Sequence, residues 1–325
     1  MPTGHSAAAS FLVAAILSLA VCPALGQAFP SRPIRLVVPS AAGGTPDIQA
    51  RIISNELFKQ LGQQVVVDNR GGASGIIGYE TIAKAPPDGY TLGYSAFTFI
   101  TNALAFSKLP YDSAKDFQPV IRGVFGTNIL TVAPSLPVRS VRDLVELARA
   151  QPGKLSYGGP GGGASQQLSI ELLKSMTGTQ ITQIYYKAIQ QAITDTIAGQ
   201  IQVVCDNAAS MLPHVQGGRL RAIGVTGLKR IPAAPDIPTI AESGFPGYEM
   251  APSSGYMLPA RTPREIVMRM NAELNKALQS PAFLEKVVPA GSVVPGGTPE
   301  QFAEHIRRES QKWGAVIKAS GIRAD

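Results

Sequence analysis

The stretch Ile34-Arg35-Leu36-Val37-Val38-Pro39-Ser40-Ala41-Ala42-Gly43-Gly44-Thr45-Pro46-Asp47-Ile48 decides the fold class. A short apolar strand ends at a proline, and a glycine-rich loop follows. Thr45, Pro46 and Asp47 then read as the cap, first position and acidic first turn of a helix. Ile48, Ile52, Ile53, Leu57 and Leu61 recur at helical spacing, and Gly62 stops the run. The same strand–glycine–helix junction returns at Gly71-Gly72-Ala73-Ser74-Gly75 and at Gly158-Gly159-Pro160-Gly161-Gly162-Gly163. A helix start leaves backbone N–H groups unpaired and carries the positive end of the helix dipole. Glycines let that backbone approach a ligand closely, so each junction is a potential cradle for a small anion.

Working outward, the pattern predicts strands over 64–68, 90–95, 155–157, 182–186, 201–205 and 220–225. Helices are predicted over 76–84, 141–148 with Ser140 as cap, 165–176, 188–198, 265–278 and 299–320. Strands alternating with helices argue for α/β layers. A chain of 325 residues is long for one core. It contains no low-complexity linker and no fixed-period repeat, which favours two lobes that the chain crosses between more than once. The crossings are expected near Gly126 and Tyr248, giving one lobe of residues 29–126 plus 249–325 and a second of 127–248.

Apolar content of 45% with 16% charged residues is that of a globular protein. The first 28 residues hold no Lys, Arg, Asp or Glu, and Phe11 to Val21 is an apolar run too short to span a bilayer. Residues 1–28 therefore read as a cleaved export signal, ending after Gly26 or Ala28, and the mature chain is expected in the periplasm. The processed protein would keep one cysteine, Cys205, in an apolar strand, where a thiol is ordinarily inert packing. The net charge of +7 would steer an anionic small molecule. Its Lys and Arg form no dense run with interleaved aromatics, which argues against a nucleic-acid partner.

Catalytic constellations are missing. His214 and His305 have no Cys or His partner at ligand spacing, so no metal is expected. No Walker lysine follows any glycine loop. Gly159-Pro160-Gly161-Gly162-Gly163-Ala164 fits the dinucleotide fingerprint formally but lacks the acidic residue about 20 positions on. Ser74 is not in a nucleophile elbow. Binding of a carboxylate or similar oxyanion, without cofactor and without turnover, is the expectation.

The words of the sequence then become specific. The run from Val38 to Arg51 resembles the opening signature of the Bug-type substrate-binding proteins, extracytoplasmic receptors of tripartite tricarboxylate transporters. Further matching blocks are Asp68-Asn69-Arg70-Gly71-Gly72-Ala73-Ser74-Gly75, Pro87-Asp88-Gly89-Tyr90-Thr91-Leu92, Leu109-Pro110-Tyr111-Asp112, Leu220 to Gly227 and Pro235 to Glu249. The resemblance implies a two-lobed, flytrap-like α/β periplasmic-binding fold with a small carboxylate held between lobes. It implies membrane transporter subunits as partners and a monomeric receptor. By motif, the first lobe would offer Ala42, Gly43, Gly44, Thr45 and Asp47, then Ser95, Thr98 and Asn102. The second would offer Gly159, Gly161, Gly163, Ala164, Ser165, Tyr186, Lys187 and Asp206.

Each residue also has a structural role to weigh. Asp47 can satisfy the helix dipole, Thr98 and Asn102 can cap a turn, Lys187 can be a solvated charge, and Asp206 can end a strand. The second lobe departs from the family pattern: Gly159, Ala164 and Gln167 stand where serines and a histidine are common. Tyr186-Lys187-Ala188 replaces Tyr-Lys-Gly, and Tyr185 replaces a proline. Two other functions compete with transport: a receptor that feeds a signalling partner, and a secreted α/β enzyme on the same scaffold.

Overall fold

Ile34–Val38 (β1) is a strand because its apolar, largely β-branched residues are buried on both faces of a sheet, as parallel strands require. The computed structural model describes residues 29–324, and the expected export signal lies outside them. β1 pairs in parallel with Val65–Asn69 (β2) and Thr91–Ser95 (β3). Ser253–Pro259 (β10) runs antiparallel between β3 and Phe117–Phe125 (β4), giving the order β2-β1-β3-β10-β4. The helices are Thr45–Leu61 (α1), Ile76–Ala83 (α2) and Thr98–Ala105 (α3).

The second sheet repeats this plan. Ser156–Gly159 (β6) lies parallel to Thr182–Tyr185 (β7) and Val203–Asn207 (β8). Asn128–Val132 (β5) runs antiparallel to β8 and to Arg221–Val225 (β9), for the order β7-β6-β8-β5-β9. Its helices are Val141–Ala150 (α4), Ser165–Thr177 (α5), Ile189–Ile197 (α6) and Ala208–Gln216 (α7). In each sheet three parallel strands lie in the order second-first-third, followed by two strands supplied from elsewhere in the chain.

Three tail helices, Arg264–Leu278 (α8), Pro281–Val287 (α9) and Pro299–Ser320 (α10), complete the fold. The chain leaves the first sheet after Phe125, enters the second at Asn128 and re-enters the first at Ser253. α10 touches both halves. Phe302 packs over Gly255 of β10, whereas Trp313 and Ile317 sit in the apolar cluster of the second sheet with Leu168, Tyr157 and Tyr248. Trp313 also meets Phe97 edge-on, with ring centroids 5.6 Å apart.

Most expected elements are present, with ends moved by one or two residues. The start of α1 needs correction. Gly44 is the N-cap, in extended backbone at φ −80°, and Thr45 is already helical with no capping side-chain bond. The buried stripe is correspondingly offset. Ala50, Ile53, Ser54 and Leu57 face inward with Gln49, while Ile48 is half exposed.

Candidate functional site

In an open α/β sheet, ligands bind beyond the carboxyl ends of the parallel strands. Four such ends, two from each sheet, converge here on one cavity of about 130 Å³. β1 delivers Thr45 and Pro46 at the start of α1, and β3 delivers Ala96 and Phe97 just before α3. β6 leads to Ser165 at the start of α5, and β8 ends at Asn207, the N-cap of α7. The antiparallel strands and the later chain close the cavity with Val124, Gly126, Pro252, Ser253, Ser254 and Ser292. No Lys, Arg, Asp or Glu lines it among the described residues. Positive potential in the cavity therefore comes from the N-terminal ends of α1, α3, α5 and α7.

A larger groove of about 560 Å³ lies between α3, β4 and α10, lined by Phe99, Leu104, Phe117, Met257 and Ile306. It is mostly apolar and shares no lining residue with the smaller cavity. The smaller cavity is the candidate site.

The first-lobe residues named from the sequence divide by role. Thr45 lines the cavity, and Gly44 adjoins it as the cap of α1. Ala42 and Gly43 are exposed, Gly43 with φ 83°. Asp47 is almost fully buried and turned to its own loop. Its Oδ2 accepts the Gly43 N–H at 2.8 Å and the Arg51 Nε–H at 3.1 Å. Burial alone would raise its pKa, but the Gly43 N–H, Arg51 and Asn69 outweigh this and hold it below the usual carboxylate value. Ser95 is buried in β3 and alternates with Tyr94 and Ala96, so its neighbours face the cavity instead. Thr98 Oγ1 shares a 3.1 Å hydrogen bond with the Tyr79 hydroxyl, and Asn102 Nδ2 donates to the Ser74 carbonyl at 3.1 Å.

In the second lobe Ser165 lines the cavity. Gly159 is buried at the end of β6, Ala164 is the N-cap of α5, and Gly161 lies under the Tyr185 ring. The Gly163 N–H donates to Gln167 Oε1 at 2.9 Å. The glycine loop meets the first sheet's helices: a Cβ on Gly162 would stand 2.7 Å from Ser74 Oγ, and one on Gly163 would stand 3.1 Å from Thr101 Cβ. Asp206 accepts Gln166 Nε2 at 2.8 Å, and burial pushes its carboxyl above the usual range. The Tyr186 hydroxyl donates to Asp195 Oδ2 at 2.7 Å, and Lys187 is exposed; neither lines the cavity.

Sequence reading missed Gln49, Tyr94, Asn207 and the serines at 253, 254 and 292. The Tyr94 hydroxyl donates to Gln49 Oε1 at 2.7 Å, within the cavity wall. Ser253 Oγ lies 2.8 Å from His305 Nε2, and that imidazole stacks on Phe125 at 4.6 Å. Burial, then Arg308, Arg122 and Lys312, lowers the His305 pKa to about 4, so it is neutral near pH 7. Asn207 at the end of β8 carried the one available signal, an Asn directly before a helix. The described residues hold no cluster of His, Cys, Asp and Glu suited to a metal, and no helix among them is long and apolar enough to cross a membrane.

This geometry, two α/β lobes with a cleft at their strand ends, is that of the periplasmic binding proteins. Among solved structures the chain is similar to the R. palustris protein Rpa4515 with adipate. The TM-score is 0.84 at 39% identity, covering 91% of this chain and 99% of that one. It is also similar to MatC from Rhodopseudomonas palustris with bound malate, with TM-score 0.79 at 29% identity, covering 89% and 100%. Protein BugT of Bordetella pertussis is 32% identical over 93% of each chain. The family model described as tripartite tricarboxylate transporter family receptor matches residues 49–322. The chain belongs to that family of solute receptors, in its Bug-type branch.

Proposed function

We propose that the protein is exported to the periplasm and closes as a monomer around one small carboxylate. It then presents that ligand, chemically unchanged, to the membrane subunits of a tripartite transporter. The observation that carries the reading is the convergence of four helix N-termini, two from each sheet, on a cavity with no charged side chain. An anion there is met by N–H dipoles in a low-dielectric space, where charge-assisted bonds are strongest. Two structural neighbours were solved with adipate and with malate, which are small carboxylates. The lobes proposed are residues 29–126 plus 249–325 and residues 127–248.

Within the cleft, Gly44, Thr45, Ala164 and Ser165 are the proposed carboxylate contacts among those expected from sequence. Asp47, Thr98, Asn102 and Asp206 position the chain around the cleft: Asp47 Oδ2 holds the Gly43 N–H and Arg51, Thr98 the Tyr79 hydroxyl, Asn102 Nδ2 the Ser74 carbonyl, and Asp206 the Gln166 amide. A thermal-unfolding screen tests the reading. A carboxylate at 100 times its Kd stabilises the fold by about 2.7 kcal/mol. Shifts from neutral sugars or amines, with none from carboxylates, would overturn it, and chemical change of the bound ligand would overturn binding without turnover.

A further inference from the structure

β10 and β4 reach the cavity at the cross-strand pair Ser253 and Phe125, beside the lining residues Val124, Gly126 and Ser254. One side chain of α10 covers both members of that pair from behind. The His305 imidazole stacks on the Phe125 ring, with centroids 4.6 Å apart and planes 27° from parallel, and its Nε2 lies 2.8 Å from Ser253 Oγ. Ser253 and His305 are both almost fully buried, so bulk water competes little for this bond. Among the described residues Ser253 Oγ has no other hydrogen-bond partner. Burial, with the cations Arg308 and Lys312 of the same helix and Arg122 of β4, keeps the ring neutral near pH 7, so it carries a single N–H.

A hydroxyl and a neutral imidazole can share one hydrogen bond in two ways. If Nε2 accepts, the Ser253 proton is held by the ring and the oxygen turns only lone pairs toward the cavity, which repel an anion. If Nε2–H donates, the Ser253 proton is free to point into the cavity. We propose that His305 is a positioning residue for the cleft: its Nε2–H donates to Ser253 Oγ, and the Ser253 hydroxyl donates in turn to the bound anion. This rests on the carboxylate reading above and adds to it a residue that acts without touching the ligand. The anion selects the Nε2–H tautomer, because only that tautomer leaves the hydroxyl as a donor. The two bonds polarise one another, so His305 and Ser253 act on the ligand as one unit.

The test is a double-mutant cycle read by calorimetry on the mature protein, with the tightest binder among acetate, succinate, glutarate and benzoate. His305→Phe keeps a ring against Phe125 but loses the donor, and Ser253→Ala loses the hydroxyl. Each is expected to weaken binding about tenfold, and the double variant by no more than about threefold beyond either single one, because coupled residues do not add. His305→Gln restores an amide N–H and is expected to bind within about threefold of the wild type. Unfolding midpoints verify that each variant is folded. A 15N ring spectrum of the wild-type complex reads the tautomer independently of any variant's affinity. The processed chain keeps only His214 and His305, and the signals lost in His305→Gln assign the second. A protonated Nε2 with a bare Nδ1 is expected at saturation. A bare Nε2 in the complex, additive losses in the double variant, equal weakness of His305→Gln and His305→Phe, or unchanged affinity in a folded His305→Phe would overturn the inference and leave the carboxylate reading standing. Wild-type protein that binds none of the four acids would overturn both.

Discussion

At the residue scale, Gly43 and Gly44 do different work. Gly43 sits at φ 83°, which disfavours any side chain, whereas Gly44 at φ −80° has only Pro46 and Ala41 at 3.7 and 3.8 Å from a built Cβ. Gly44→Val should therefore fold, losing about 1 kcal/mol of cap stability, while its branched side chain crowds the cavity and weakens carboxylate binding at least tenfold. Denaturant unfolding and calorimetry read the two effects separately, and unchanged affinity in the folded variant would remove this loop from the site. His305 gives a pH prediction. Its folded pKa of about 4 lies below the unfolded value near 6.5, so the unfolded chain binds the extra proton between those limits. Stability from this group is full above about pH 6.5 and is lost as pH falls toward 4, by at most about 3 kcal/mol. His305→Gln should flatten that part of the stability–pH curve, and an identical slope would contradict it. The glycine loops were legible at this scale because glycine before a capped helix is a local signal. Gln49 was not: Ile48 reads as the inward residue, yet the helix phase fixed by Gly44 turns it to solvent and brings Gln49 in.

Elements were legible where their signals are local. Ser140 starts α4 through a full capping box: its Oγ accepts the Asp143 N–H at 3.1 Å and Asp143 Oδ2 accepts the Ser140 N–H at 3.0 Å. Ser140→Ala should cost about 1 kcal/mol of unfolding free energy without touching ligand affinity, since α4 lies outside the cavity. Loss of affinity in that variant would show α4 coupled to the cleft. The architectural duplication of the two sheets escaped detection because strand order is a tertiary property and the halves share no sequence period. The serines at 253, 254 and 292 were illegible for the same reason. Serine in a strand or loop is common, and only the antiparallel insertion of β10 and the later chain brings these three to the cavity.

At the scale of the whole molecule, the two sheets are held by the crossings near Gly126 and Pro252, by α10, and by the glycine loop seated on Ser74 and Thr101. Gly126 N–H donates to the Pro252 carbonyl at 2.9 Å, so both crossings are tied together at the edge of the cavity. A Cβ at Gly163 would stand 3.1 Å from Thr101 Cβ, tighter than ordinary side-chain contact, and φ 75° disfavours any side chain there. Gly163→Val should therefore shift the protein toward an open form, visible as a larger radius of gyration in solution scattering and as weaker binding; an unchanged radius would contradict a closing seam there.

The central claim is that helix N-termini from both lobes hold one carboxylate at the meeting point of their strands. Amide chemical-shift mapping of the 15N-labelled protein during titration with a dicarboxylate tests this most directly. The account predicts that the largest saturable shifts fall on the amides of Thr45, Ser165 and Gln166 together with the Asn207 side-chain amide. Shifts confined to the groove between α3 and α10, with those four unmoved at saturation, would contradict it.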